Sequence, residues 1–281
     1  MRPFEIAKGF CLTVNLEADA LEAKKKKTEY IMQEIDLYEV KNAAGNYVNR
    51  NEIENMYSKL EDSIARKFHR IISLLKSEEA DVEFKKMIQT NEWFDKEAAL
   101  LSHLILSLIR NPHLKYLIYD NEEIPNFMKP IFYRLMISNQ GMAVKLAMDA
   151  LYGEQLEFAL HFLKTSSKNS IKTLTDHIMY NFQLRIYKTK GEQKFFLSDR
   201  PILVQEFENI DYAFPISPSI CVGTTRLQME KGILSTHSLI VYMSDDEVKK
   251  FNKKIIKNTK KMLIIQNDLD LKFVKKYREC T

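Results

Sequence analysis

The chain has 281 residues, 45% apolar and 28% charged, enough for one large domain or two small ones with a sizeable core. A net charge of +4 does not by itself mark a polyanion binder, which would need its charge concentrated on one face. No apolar run reaches the roughly eighteen residues of a membrane span, and Met1-Arg2-Pro3-Phe4-Glu5 lacks the apolar core of a signal peptide, so the expectation is a cytoplasmic protein without a membrane partner.

Along the chain, Ile35 to Val40 alternates apolar and polar residues, as a half-buried strand over 35–41 would, and Asn42 to Asn46 supplies a turn. Ile53, Met56, Leu60, Ile64, Phe68, Ile71 and Leu75 then follow spacings of three and four, which predict one amphipathic helix of about seven turns. A second helix is predicted from Glu92 to Arg110, ended by Pro112. Pro125 and Pro130 bracket a junction; helical patterns return from Ile131 to about Lys164 and from Ser170 to Met179.

The period then changes to two. Phe182, Leu184 and Ile186 alternate with polar residues, Thr189 to Glu192 reads as a turn, and Phe195-Phe196-Leu197 as the return strand of a hairpin. Ile202 to Val204, Leu239 to Tyr242 and Leu263 to Ile265 are further strand candidates. Ser244 with Glu247 forms a capping box that opens a helix with Val248, Phe251, Ile255 and Met262 on its apolar side. The order predicts an α+β fold in one domain over 1–281: a mainly helical body at about 50–180, and a small C-terminal antiparallel sheet at about 181–281 joined by the strand at 35–41.

Several of these residues resemble a known family. Phe196-Leu197-Ser198-Asp199-Arg200-Pro201-Ile202, followed by Phe214-Pro215-Ile216-Ser217-Pro218, is similar to the signature of the bacterial domain-of-unknown-function family four-two-three-eight. Ser107 to Pro112, Val248 to Asn252, Asp36 to Glu39 and Leu60-Glu61 resemble its lesser motifs. Arg200 stands where the family has asparagine, and Ser107 where it has glutamine. The resemblance implies a bacterial, cytosolic protein and carries no activity with it.

The chemistry-bearing residues point two ways. Asp199 and Arg200, at a strand end beside Ser198, suit a base or ligand next to an anion clamp, and Arg110 could pair across to Asp199. Asp and Ser before proline equally make an ordinary turn. Ser217 and Pro218 form a second turn that could face the same cleft, with Asn252 and His113 as further polar contributors. The lysines at 249, 250, 253, 254, 257, 260 and 261, with Lys250, Lys254 and Lys257 as candidate contacts, suit a phosphate backbone or a solvated face. Lys24 to Lys27 is a second concentration of charge. Glu192-Gln193-Lys194 has the form of a nuclease E-x-K element but lacks an acid on the preceding strand. No zinc spacing, HExxH or glycine-rich phosphate loop occurs, and the three cysteines are far apart, so no metal site is predicted and no cofactor assigned. Two function classes remain open, with enzymatic activity undecided. One is a toxin- or defence-like effector acting on a phosphate-containing substrate such as nucleic acid. The other is a non-catalytic protein-interaction or scaffold protein; across the two, the expected partner is nucleic acid or another protein.

Overall fold

The computed structural model describes residues 4–31, 40–41, 44–48, 51–77, 79–89, 92–109, 119–120, 122–129, 133, 182–207, 210–226 and 240–278. The strands in chain order are β1 (Phe10–Asn15), β2 (Ala23–Lys27), β3 (Val40–Lys41), β4 (Tyr47–Val48), β5 (Phe182–Thr189), β6 (Leu197–Ser198), β7 (Leu203–Phe207), β8 (Ile210–Ser217), β9 (Ile220–Arg226), β10 (Ile240–Met243) and β11 (Met262–Ile265). The helices are α1 (Glu52–Lys76), α2 (Ala80–Gln89), α3 (Glu92–Ile109), α4 (Asp245–Asn258) and α5 (Asp268–Arg278). The chain divides into two compact units: Met1–Gln33 with Asn181–Thr281, and Glu34–Tyr180.

The first unit holds two sheets, and here the expected single small C-terminal sheet is corrected. One sheet has the order β2-β1-β11-β6, the other β10-β5-β9-β8-β7. N-terminal β1 pairs antiparallel with β11, Leu12 opposite Ile265 and Val14 opposite Leu263, so strands from both ends of the chain close one sheet. β2 reads Ala-Lys-Lys-Lys-Lys and has no apolar alternation to betray it; four lysines suit an edge strand, where charge blocks unwanted pairing. β10 pairs parallel to β5, so the second sheet is not purely antiparallel. β5 does not form a hairpin with 195–197: its neighbours are β9 and β10, while β6 joins the other sheet.

Both sheets and both C-terminal helices feed one core. Val14, Tyr187, Leu203, Cys221, Met243, Val248, Phe251, Ile255, Leu263, Ile265 and Val274 pack together in it. The predicted capping box is present: the Ser244 hydroxyl accepts from Glu247 N–H, and the Glu247 carboxylate accepts from Ser244 N–H at 2.7 Å. Those bonds from the Ser244 backbone and hydroxyl lower the pKa of Glu247. At α5, Asn267 Oδ1 accepts from Asp270 N–H, while Asp270 accepts from Gln266 and Asn267 N–H groups. Burial pushes the Asp270 pKa up, against the pull of those two amides.

The second unit contains the ribbon β3–β4 and the helices α1, α2 and α3, which bury Ile71, Leu75, Phe84, Trp93, Leu100 and Leu101. α1 is the predicted seven-turn helix, and α3 runs from Glu92 to Ile109, while the expected boundary at Arg110 and Pro112 falls outside the described residues. α2 was not foreseen: ten residues give too few turns for a firm helical period. The strand pattern at Ile35 to Glu39 and the helical patterns from 131 to 164 and 170 to 179 fall outside the described residues.

Within α3, burial pushes the Glu97 carboxyl up to about 7. The folded chain therefore holds this proton more tightly than the unfolded chain, whose ordinary value is 4.5, and stability falls as pH rises between those two values. Glu97→Gln is expected to raise the melting temperature at pH 8 and leave it unchanged at pH 4, with a gain of up to about 3 kcal/mol. Calorimetry across that range checks it; an equal shift at both pH values contradicts it.

Candidate functional site

The signature segment runs beside α4 and is fastened to it by side chains bonding to backbone. At its start, Gln193 N–H donates to Asp245 Oδ1 at 3.0 Å. Gly191 lies so close that a Cβ there would overlap the Asp245 carboxylate, which is why glycine serves at this turn. Seven residues along α4, two turns on, Asn252 takes the next two backbone groups. Its Nδ2 donates to Lys194 O at 2.7 Å and its Oδ1 accepts from Phe196 N–H at 3.0 Å. At the end of the helix, Asn258 Nδ2 donates to the carbonyls of Arg200 and Ile202. Between these anchors Phe195 packs edge-on to Phe251 of α4, and Phe196 edge-on to Phe273 of α5.

Asp199 closes the clasp. Its Oδ1 accepts from Lys260 N–H at 3.1 Å, and its Oδ2 from Lys261 N–H at 2.7 Å and Met262 N–H at 3.1 Å. Its own N–H donates to Met262 O at 3.0 Å, extending the pairing of β6 with β11 by one residue. Three of the roughly four lone-pair positions of the carboxylate are thus taken by the turn between α4 and β11. Ser198 is buried, and its Oγ accepts from Arg200 N–H, a serine turn closed on itself. Arg200 is half-buried, and among the described residues its guanidinium makes no hydrogen bond or ion pair.

Ser217 lies in β8 of the five-stranded sheet, whereas Ser198 lies in β6 of the other. The predicted second turn is shorter than expected: Pro215, Ile216 and Ser217 belong to β8, and only Pro218-Ser219 turns the chain into β9. Pro215 sits at a register shift opposite Cys221, where its missing N–H breaks no regular ladder. The segment leading into the first turn touches the second through the backbone, since Phe195 N–H donates to Pro218 O at 2.8 Å. The Ser217 hydroxyl is buried and, among the described residues, has no hydrogen-bond partner.

Of the other predicted residues, Arg110 and His113 fall outside the described residues. Lys250 and Lys257 are exposed on α4, and Lys254 is half-buried. Glu192-Gln193-Lys194 is not in a strand; Lys194 Nζ folds back onto Gly191 O at 3.0 Å. Among the described residues no three His, Cys, Asp or Glu side chains gather to hold a metal ion, and no helix is long and apolar enough to cross a membrane. Asp245 and Asn258 were not foreseen. Both read as ordinary helix-end residues, and only the tertiary path of 193–202 turns them into anchors.

The model of a family of unknown function, DUF4238, matches residues 1–269. The chain belongs to that family. Its match covers both units of this DUF4238 protein, including the clasp and α4. Among curated proteins and among solved structures, none matches it.

Proposed function

We propose that this DUF4238 protein works by binding rather than by catalysis, and that the signature residues are its fastening. The observation that carries this reading is the Asp199 carboxylate, engaged by three backbone amides of one turn. A general base needs a lone pair aimed at a substrate proton, and a metal ligand needs one aimed at the ion. Asp199 spends three of its roughly four lone pairs on the turn that leads from α4 into β11. Asn252 is likewise committed on both sides of its amide. The first unit is then a rigid scaffold whose working surface lies elsewhere, with a nucleic acid or another protein as partner.

Arg200→Ala separates the two function classes. Its guanidinium is the group an anion clamp would use, and among the described residues it makes no hydrogen bond or ion pair to lose. The expected result is a melting temperature within about 1 °C of the parent, with function intact. The purified 281-residue chain incubated with RNA, DNA and nucleoside triphosphates should give no turnover that depends on Arg200. Turnover that disappears in the folded R200A chain would sink the binding reading.

A further inference from the structure

The C-terminal helices concentrate charge in a way the sequence only half discloses. From Asp245 to Arg278 there are eleven Lys and Arg residues against five Asp and Glu; three of the acids, Asp245, Asp246 and Glu247, sit in the first turn of α4, and Asp270 is buried. α4 and α5 turn their apolar sides inward, with Val248, Phe251, Ile255 and Val274 fully buried. The opposite side of α4 carries Lys250, Lys253 and Lys257, all exposed and spaced by three and four. α5 exposes Lys272, Lys275 and Lys276. The two sets join at Tyr277: Lys253 Nζ lies 4.3 Å from its ring centroid and Lys276 Nζ 5.8 Å. Among the described residues, Lys253, Lys257, Lys272 and Lys275 are in no ion pair.

We propose that this two-helix face is a docking surface for the phosphate backbone of a duplex nucleic acid, read without regard to sequence. It rests on the binding reading above and names the partner class. Lys250 to Lys257 span about 10 Å of helix, long enough to meet several phosphates of a duplex carrying one charge per roughly 1.7 Å. At the junction the Tyr277 ring lies under Lys253 and packs against Phe273 with ring centroids 4.6 Å apart, so it offers no stacking platform to splayed bases, which favours a duplex over a single strand. An anionic membrane fits less well. An interfacial helix needs an apolar side to bury in lipid, and on α4 and α5 that side is already in the core, leaving Leu269 as their exposed large hydrophobic.

The test compares the full chain with the triple variant Lys253→Gln, Lys257→Gln, Lys272→Gln, and with a control, Lys24→Gln and Lys26→Gln, on β2. Fluorescence anisotropy follows binding to labelled duplexes of about 20 base pairs, DNA and RNA, between about 50 and 200 mM salt. The parent should bind both duplexes, and log affinity should fall linearly with log salt. The triple variant, with an unchanged melting temperature, should bind at least tenfold more weakly, and its salt slope should be shallower by roughly two to three. The control should match the parent. The proposal is overturned if the parent fails to bind duplex, if the triple variant keeps its affinity and slope, or if the control loses as much. It is also overturned if vesicles containing phosphatidylserine, and not duplex, are what the triple variant stops binding. Any of these removes the partner and leaves the non-catalytic reading standing, because that reading is tested separately, by turnover that depends on Arg200 or Asp199.

Discussion

Asp199→Asn should destabilise the protein nearly as much as Asp199→Ala. Both oxygens of the carboxylate accept backbone N–H bonds from residues 260–262. An asparagine keeps one oxygen and turns an NH2 toward amides that are themselves donors, so the conservative change creates a donor-donor clash. Bonds to a charged acceptor are worth more than neutral ones, and the expected loss is about 2–4 kcal/mol for either variant. That corresponds to a fall in melting temperature of roughly 5–15 °C. A phenotype such as growth arrest or phage protection should decline only with the folded fraction. A catalytic acid behaves in the opposite way: its asparagine variant keeps the parent's melting temperature and loses function. Scanning calorimetry of both variants beside the cellular readout decides it.

Asn252→Ala carries the second large effect. Asn252 is 1% exposed and bridges Lys194 O and Phe196 N–H, so truncation leaves two backbone groups without partners. The expected cost is about 3 kcal/mol, or roughly 6–12 °C in melting temperature. Asn252→Asp adds a sign that truncation cannot. A carboxylate can still accept from Phe196 N–H but sets a lone pair against Lys194 O. Burial and that opposed carbonyl favour its protonated form in the folded chain. N252D should therefore be least stable near neutral pH and recover as the pH falls into the carboxyl range. A pH-independent deficit would show that Asn252 does not hold this bridge.

The signature motif was legible as residues and not as a role. Ser198-Asp199-Arg200-Pro201 reads equally as a turn and as a site, because a short polar side chain before a proline suits both. What separates the readings is where the three amides of residues 260–262 lie, more than sixty residues away in sequence. The lysine face was half legible. The row on α4 follows from helical spacing, but α5 is too short and too polar to announce itself, and the meeting of Lys253 with Tyr277 belongs to the packed pair.

By itself the sequence determined the local elements whose period is long or whose ends are marked: the seven turns of α1, the helix α3, the capping box of α4 and the alternation of β5. These depend on contacts within a few residues, which spacing records directly. Only the tertiary structure decided that Phe10–Asn15 joins Met262–Ile265 in one sheet, that β10 lies parallel to β5, and that Lys24–Lys27 is an edge strand. It also decided that Asp199 fastens a turn. Each of these is a pairing between residues far apart in the chain, set by which apolar faces can be buried together, and no local pattern carries that information.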